Sequence, residues 1–361
     1  MIIAYCIESF WNTGGMERVL AVKSNWLAEN GHDITIIVAN QQGKPYAFML
    51  DERVRLIDLK CDVHDFENLY RKRLQEHIVQ SNYDIVISMG GLEVRFLYSI
   101  MDGSEKIVEL HFAWNRFIKS GNNFMNKVKG VIQTFRYLNT LRRYQHIVVL
   151  TKYDAKVYKR LGIKSSIIYD PCTIKSIGIS KLQSHRVISV GRLDYLKGYD
   201  YLIKAWKSVE QMCPDWELHI FGEGPQRDKL RKLIRDLDVK HIFLRGASTT
   251  ISDEYRSSSI YVMSSRCEGF ALVLLEASVH GLPLIAYDCI SGPKEIITNN
   301  ENGLLIKPVG NIEKLATAIN YLIENPDQRK AMGVKALAMS KKFSVDYIMG
   351  QWTQLFQDIL A

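Results

Sequence analysis

The strongest constraint on the fold is a repeated alternation of short apolar runs with longer amphipathic segments. The first run spans residues 2–7, and a second series begins at residues 186–190. This alternation is typical of a parallel β-sheet covered by helices, and 361 residues can form two such cores. We therefore expect two Rossmann-like α/β domains over 1–170 and 186–343, a linker over 171–185 and a final helix over 344–361.

A strand, a loop and a helix opening over residues 260–281 carry the most chemistry. Glu268 lies in the loop, and Glu276 follows in an otherwise apolar segment. We expect the helix to start at Gly269, which would let backbone amides at the start of the helix approach an anion such as a phosphate. Glu276 would need a hydrogen-bonding partner, which a ribose diol would supply. The alternative is an ordinary helix with one polar face and a loop acid near its positive end.

A second loop of interest follows the strand at residues 186–190 and reads Gly-Arg-Leu-Asp-Tyr-Leu-Lys-Gly. It places Arg192 and Lys197 on one strand-to-helix loop. Two cations in that position would neutralise a leaving diphosphate without a metal ion. Exposed loop cations are also common on protein surfaces, but glycines at both ends of this loop favour a binding site.

The first domain offers weaker signals. Gly14 and Gly15 occupy the first strand-to-helix turn, where Rossmann-like domains hold phosphates. The turn lacks the G-x-G-x-x-G pattern, which disfavours a dinucleotide. His111 ends a later apolar run, and a lone histidine there is either a structural hydrogen-bonding group or part of a site.

The formal net charge of +8 is concentrated in one segment. Residues 114–164 contain twelve Lys and Arg against a single acid. Over residues 117–144 the cations, including Arg136, Arg142 and Arg143, alternate with apolar residues. This predicts an amphipathic helix that contacts anionic lipid headgroups or a polyphosphate acceptor, or else a core helix with a solvated outer face. No nucleic-acid-binding motif accompanies the charge.

The six cysteines are scattered without a C-x-x-C pair, so we expect reduced thiols and no structural zinc. The first residues form an apolar run without a basic start, so we expect a core strand and no signal peptide. No apolar run approaches the ~18 residues that cross a bilayer. We expect a cytoplasmic protein, which the lipid-binding alternative for the basic segment would place at the inner face of the cell membrane.

The segment Glu-Gly-Phe-Ala-Leu-Val-Leu-Leu-Glu-Ala resembles the E-x7-E signature of family 4 retaining glycosyltransferases of the GT-B fold. The segments Gly-Gly-Met-Glu-Arg and Gly-Arg-Leu through Lys-Gly resemble two further parts of that family, so the resemblance covers nearly the whole chain. It implies two Rossmann-like domains facing a central cleft, with a C-terminal helix that crosses back to the N-terminal domain.

The resemblance also implies roles for particular residues. Glu268 would reach the transferred sugar, Glu276 would hold the ribose, and Arg192 and Lys197 would hold the diphosphate. His111 would approach the donor sugar. The remaining implied donor contacts are Gly15, Gly246 beside the nucleobase, Gly269, Phe270, Ala271 and Leu272.

The implied reaction is metal-independent transfer with retention of anomeric configuration. The donor would be a UDP-sugar, and the acceptor a glycan on a polyprenyl diphosphate. Two rivals remain: a nucleotide-sugar epimerase of GT-B architecture, and a non-catalytic protein that binds polyanions.

Overall fold

The computed structural model describes residues 1–61, 64–114, 124–174 and 176–361. The chain forms two compact units, each with its own core. Unit 1 comprises Met1–Pro171 together with Val345–Ala361, and unit 2 comprises Cys172–Ser344.

Unit 1 contains a parallel sheet of seven strands in the order β3-β2-β1-β4-β5-β6-β7. Its central strands are almost entirely buried apolar residues, as expected for strands covered on both faces. The strands are β1 Ile2–Ile7, β2 Asp33–Val38, β3 Arg55–Asp58, β4 Ile85–Ser88, β5 Glu105–Leu110, β6 His146–Val149 and β7 Ser166–Ile167, and the helices are α1 Gly15–Glu29, α2 Phe66–Val79, α3 Phe124–Leu141 and α4 Lys152–Arg160.

Unit 2 contains a parallel sheet of six strands in the order β10-β9-β8-β11-β12-β13. The strands are β8 Arg186–Val190, β9 Glu217–Phe221, β10 Ile242–Gly246, β11 Ile260–Met263, β12 Leu284–Tyr287 and β13 Gly303–Ile306. The helices are α5 Tyr199–Met212, α6 Arg227–Asp236, α7 Ile251–Arg256, α8 Leu272–Ser278, α9 Pro293–Ile296, α10 Ile312–Glu324 and α11 Pro326–Ser340.

The last helix, α12 Val345–Leu360, follows unit 2 in the chain but packs in unit 1. Ile348, Met349, Trp352 and Phe356 are buried in the core of that unit. Their spacing of three and four residues places them on one face of the helix. The predicted return of the C-terminal helix to the first domain is confirmed.

Each sheet has one point where the strand order reverses. In unit 1, β1 lies between β2 and β4, and in unit 2, β8 lies between β9 and β11. Loops at the carboxyl ends of such strands diverge and leave a crevice, which is where open α/β sheets bind ligands. The strand order therefore predicts ligand binding at the loops after β1 and β4, and at the loops after β8 and β11.

Two details differ from the sequence-based expectations. We expected a linker over 171–185, whereas unit 2 comprises Cys172–Ser344. The Cys172 amide donates to the carbonyl of Phe343 at 2.8 Å, and the Ser180 amide to that of His280 at 2.8 Å. The helix after Glu268 begins only at Leu272, so residues 269–271 are loop. Among the described helices, none is long and apolar enough to cross a bilayer.

Candidate active site

Lys197 and Glu268 meet at the strand-order reversal of unit 2. The Lys197 ammonium lies 2.8 Å and 3.0 Å from the two carboxylate oxygens of Glu268. Lys197 follows β8 and Glu268 follows the adjacent strand β11, so the sheet order itself brings the two loops together. The hydroxyl of Ser265 donates a further hydrogen bond of 2.5 Å to Glu268. Sequence reasoning identified both charged residues but missed Ser265. Its place as a polar residue three positions before Glu268 could have indicated it.

The loop that carries Lys197 is fixed by its backbone. Residues Tyr195–Lys197 form a short 3-10 helix, and the Asp194 carboxylate caps it by accepting from the Lys197 amide at 3.1 Å. Gly198 follows with φ of +63°, and a Cβ there would lie 2.2 Å from the carbonyl oxygen of Ser264. Only glycine permits this approach, so the loop after β8 is held directly against the loop after β11.

The Lys197 side chain is a charged group that remains accessible. Burial alone would lower the pKa of its ammonium group, but the Glu268 carboxylate outweighs that effect and raises the pKa above its usual value. The Lys197 side chain is 25% exposed and that of Glu268 is 9% exposed. The Lys197 ammonium is therefore charged at neutral pH, and it can still be reached from solvent.

Glu276 lies in α8 and is 4% exposed. The Tyr255 hydroxyl donates to one carboxylate oxygen at 3.0 Å, and the Thr173 hydroxyl donates to the other at 3.4 Å. The expectation that this acid needs hydrogen-bonding partners agrees with these contacts, which the protein itself provides.

The loop between Glu268 and Glu276 is tightly packed. Phe270 and Ala271 are buried, and the Phe270 ring lies 5.8 Å from the ring of Phe343. Gly292, at the start of α9, presses against this loop, because a Cβ there would lie 3.0 Å from the Ala271 amide nitrogen and 3.1 Å from the Gly269 carbonyl oxygen. Leu272 opens α8. Sequence reasoning missed the contribution of Gly292.

Three glycines bring the ends of β8, β9 and β10 into close backbone contact. The Gly222 amide donates to the Gly246 carbonyl at 2.7 Å. Gly222 has φ of +137°, and a Cβ there would lie 2.0 Å from the Gly191 carbonyl oxygen. Gly246, predicted beside the nucleobase, thus lies at the same end of the sheet as the Lys197 loop. Arg192, next to Gly191, is exposed and pairs with no acid in the part of the chain that the structure describes.

Unit 1 contains a buried cluster of charges formed by Lys23, Glu109, His111 and Asp170. The Lys23 ammonium lies 2.5 Å from the Glu109 carboxylate, and both side chains are at most 1% exposed. His111 lies 3.4 Å from Glu109 through Nε2 and 3.5 Å from Asp170 through Nδ1. The ring of Trp352 on α12 covers Lys23, with its centroid 3.7 Å from the ammonium nitrogen.

The charges in this cluster alternate in sign, which sets their protonation. Burial would lower the pKa of His111, but the charges of Asp170 and Glu109 outweigh it and raise the pKa to about 10. Burial would likewise raise the pKa of Glu109, but Lys23 and His111 lower it to about 2. His111 is therefore an imidazolium at neutral pH.

Three members of this cluster also qualify by distance as ligands of a metal ion. Ligand atoms of Glu109, His111 and Asp170 lie within 4.8 Å of one another, close enough to hold a metal ion. In the structure, however, the Lys23 ammonium contacts one carboxylate oxygen of Glu109, and the two ring nitrogens of His111 lie beside Glu109 and Asp170. The arrangement is that of an ion-pair network.

Sequence reasoning found His111 but missed Lys23, Glu109 and Asp170. The signal was present, because Lys23 occupies a position on the apolar face of α1 and Glu109 lies within an apolar strand. Gly15, the other predicted contact of this domain, is the first residue of α1. At the preceding residue, a Cβ on Gly14 would lie 2.4 Å from a carboxylate oxygen of Glu17.

The three arginines singled out in the basic segment differ in their contacts. Arg142 donates to the Leu161 carbonyl at 2.9 Å, and Arg143 donates to the Tyr98 hydroxyl at 2.9 Å. Arg136 is exposed, and its guanidinium has no partner among the described residues. Helix α3 confirms that most of the segment predicted as a helix is helical. Residues 117–123 of the predicted helix lie outside the described residues.

Comparisons with known proteins agree with this architecture. Residues 174–339 match the family model "Glycosyl transferases group 1", and residues 13–171 match "Glycosyltransferase Family 4". A Haemophilus influenzae protein described as an uncharacterized glycosyltransferase is 29% identical over 360 residues, covering 97% of this chain and 98% of that protein. A Campylobacter jejuni α-1,4-N-acetyl-D-galactosaminyltransferase, named for a GalNAc-containing diNAcBac-PP-undecaprenol, is 22% identical and covers 99% of both chains.

A solved structure shows the same fold. S. aureus TarM, in complex with fondaparinux, α-GlcNAc-glycerol and UDP, superposes with a TM-score of 0.83 at 16% identity, covering 98% of this chain and 99% of that one. The predicted GT-B fold of two Rossmann-like domains is confirmed.

Proposed function

Because the chain belongs to the family 4 glycosyltransferases of the GT-B fold, we propose that it is a retaining enzyme that uses a UDP-sugar donor. It would transfer a hexose or N-acetylhexosamine to a glycan acceptor carried on a polyprenyl diphosphate. The observation that carries this proposal is the Lys197–Glu268 pair at the strand-order reversal of unit 2, with Glu276 on the helix that follows.

Unit 2 would bind the donor. Lys197 has three N–H donors, so it can contact a phosphate oxygen while it remains paired with Glu268. Arg192, without an ion pair in the described part of the chain, would supply the second cation. Glu276 would accept hydrogen bonds from the ribose diol beside those from Tyr255 and Thr173. The UDP in the related TarM structure supports the choice of nucleotide.

The chemistry follows from these groups. The bond between the anomeric carbon and the diphosphate oxygen breaks, and the acceptor oxygen bonds to the same face of that carbon. The acceptor's proton passes to the leaving diphosphate. Fixed cations stabilise the negative charge that develops on the diphosphate, and Glu268 would accept hydrogen bonds from the sugar. From unit 1, His111 would act as an imidazolium donor to a sugar hydroxyl, and Gly15 would line the approach.

The acceptor and the cellular site belong to the same proposal. The Campylobacter jejuni relative is named for an undecaprenyl-diphosphate glycan, and the basic segment of unit 1 suits an anionic acceptor. The enzyme would work at the inner face of the cell membrane, where a lipid-linked acceptor would be anchored. No metal would be needed, and EDTA should leave the transfer rate unchanged, whereas loss that magnesium restores would contradict this.

UDP binding tests the donor site. Isothermal titration should show UDP binding to the wild type, and roughly tenfold weaker binding to Arg192→Ala and to Glu276→Gln, since each loses charge-assisted hydrogen bonds. Arg231→Ala on α6, an exposed cation elsewhere in unit 2, is the matched control and should bind normally. Equal binding by all four proteins would remove Arg192 and Glu276 from the site. Turnover of labelled UDP-sugars, with the product anomer read by NMR, tests transfer and retention.

A further inference from the structure

Unit 1 contains a cavity of 600 Å³ at its own strand-order reversal. The carboxyl ends of β1 and β4 form one side of it through Ile7, Glu8 and residues 89–92. One face of α3, including Arg136 and three further residues, forms another side. The remaining lining residues are Met16, Arg95 and Phe112.

We propose that this cavity binds an amphiphilic phosphate, with the phosphate at Arg136 and an apolar stem against the adjacent walls. The inference rests on the proposed function in one respect, since it identifies this ligand as the lipid-linked acceptor. It adds the site, the residues and the chemical class that the site selects.

The location supports ligand binding. Loops at a strand-order reversal diverge, so a crevice there follows from the topology and does not depend on imperfect packing. The backbone of this region is also specialised for a close approach. Gly90 has φ of +81°, and a Cβ on Gly91 would lie 2.6 Å from the Glu93 carboxylate. A side chain at either position would therefore strain or crowd the loop after β4, which lines the cavity.

The walls indicate an apolar stem. Ile7, Met16, Met89 and Leu92 contribute aliphatic and thioether surface, and Phe112 adds a ring that is 43% exposed. Binding sites for small molecules are mostly apolar with a few placed polar groups. Methionine side chains adapt to ligands of irregular shape, as a flexible prenyl chain requires.

The charges indicate an anion at one position. Arg95 also lines the cavity but is paired with Glu67 at 2.8 Å. Arg136 has no ion pair in the described ranges, so its guanidinium is available for a bidentate contact with phosphate. Glu8 is the sole acid in the described lining, and its carboxylate would accept from a sugar hydroxyl and repel a phosphate placed nearby.

The outer surface of α3 extends the same pattern. Val128, Val131, Ile132 and Phe135 lie three and four residues apart on one face and are between 42% and 63% exposed. Arg136 follows Phe135 directly, so it lies at the border between this apolar stripe and the cavity face of the helix. A stem that extends beyond the cavity past Arg136 would thus meet more apolar surface.

Binding of farnesyl diphosphate tests the proposal. Isothermal titration should show it binding to the wild type at least tenfold more tightly than inorganic pyrophosphate or farnesol, because only the amphiphile uses both the walls and the cation. Arg136→Gln should weaken its binding at least tenfold. Arg160→Gln, an exposed arginine on α4 outside the cavity lining, is the matched control and should change it less than twofold.

Several outcomes would overturn the proposal: equal weakening by the two arginine variants, pyrophosphate binding as tightly as farnesyl diphosphate, or competition between UDP and farnesyl diphosphate. If Arg136→Gln fails to fold by circular dichroism, Phe112→Ser serves instead and should also weaken binding. UDP titration separates the two hypotheses. If farnesyl diphosphate does not bind as expected while UDP binds normally, this inference alone is rejected. If UDP does not bind while farnesyl diphosphate binds as expected, the proposed function alone is rejected.

Discussion

The two units place a lysine–glutamate pair near the same kind of sheet end, but in opposite environments. In unit 1 the side chains of Lys23 and Glu109 are 0% and 1% exposed. In unit 2 those of Lys197 and Glu268 are 25% and 9% exposed. The first pair is covered by the Trp352 ring, whereas the second retains an accessible cation.

This difference assigns different roles to similar chemistry. A fully buried pair cannot contact a ligand, and breaking it leaves an uncompensated charge in the interior. A partly exposed pair contributes little to stability but can redirect its cation to an arriving anion. We infer that the pair in unit 1 maintains structure and that the pair in unit 2 serves the reaction.

The largest effect should come from Lys23→Met. Removing the cation leaves the buried Glu109 carboxylate with His111 as its cationic neighbour, so the free energy of unfolding of unit 1 should fall by about 3–5 kcal/mol. Urea denaturation monitored by tryptophan fluorescence measures this loss, and Trp352 lies close enough to report it.

The control is the double variant Lys23→Met with Glu109→Gln, which removes both charges of the pair. It should recover part of the lost stability, because no unpaired carboxylate remains buried. A loss under 1 kcal/mol in the single variant would show that the buried pair is not structural, and the comparison between the units would fail.

Lys197→Met should show the reverse pattern. The transfer rate should fall by about 10²–10³-fold, as when one preorganised charge-stabilising donor is removed from an active site. Stability should change by about 1 kcal/mol or less, since the pair is partly exposed. Steady-state kinetics with the preferred donor, together with a thermal melt, measure the two effects separately.

Lys232→Met is the matched variant for that experiment. Lys232 also pairs with an acid, Asp236 at 2.6 Å, but on an exposed helix surface of unit 2. It should leave both rate and stability nearly unchanged. If Lys197→Met also retained its rate and lost only stability, the pair in unit 2 would be structural as well.

The fold was largely predictable because its signals are local. The short apolar runs at residues 2–7 and 186–190 predicted β1 and β8 with their observed bounds. The two-residue strand β7 and the short helix α7 have too few residues to show a period. The start of α8 was misplaced because Phe270 and Ala271 look helical in sequence, while their burial against other loops keeps them out of the helix.

The candidate site was predictable only where one segment carried the signal. Glu268, Glu276 and the Lys197 loop stand out as motifs, but their contacts come from residues far along the chain, such as Tyr255 and Thr173. The cavity of unit 1 is lined by residues at the ends of three strands and by one helix. No local sequence pattern predicts that these elements lie next to one another. Non-local packing decides which of several cations stays free.

The last prediction concerns pH and sharpens the contrast between the units. His111 has a folded-state pKa of about 10, above its usual 6.5, because Glu109 and Asp170 hold its charge. Its contribution to stability is therefore complete below pH 6.5 and is lost as the pH rises towards 10. The stability advantage of the wild type over His111→Gln should shrink by about 1.4 kcal/mol per pH unit in that range.

Urea denaturation of both proteins between pH 6 and pH 9 measures this slope. Asp170→Asn should flatten it, because one of the two carboxylates that raise the pKa of His111 is gone. The pKa of Lys197 is raised from a usual value of 10.5, so its pair should add no slope in the same range. A constant difference between wild type and His111→Gln would mean that His111 is neutral, and the alternating charges in unit 1 would then have to be reassigned.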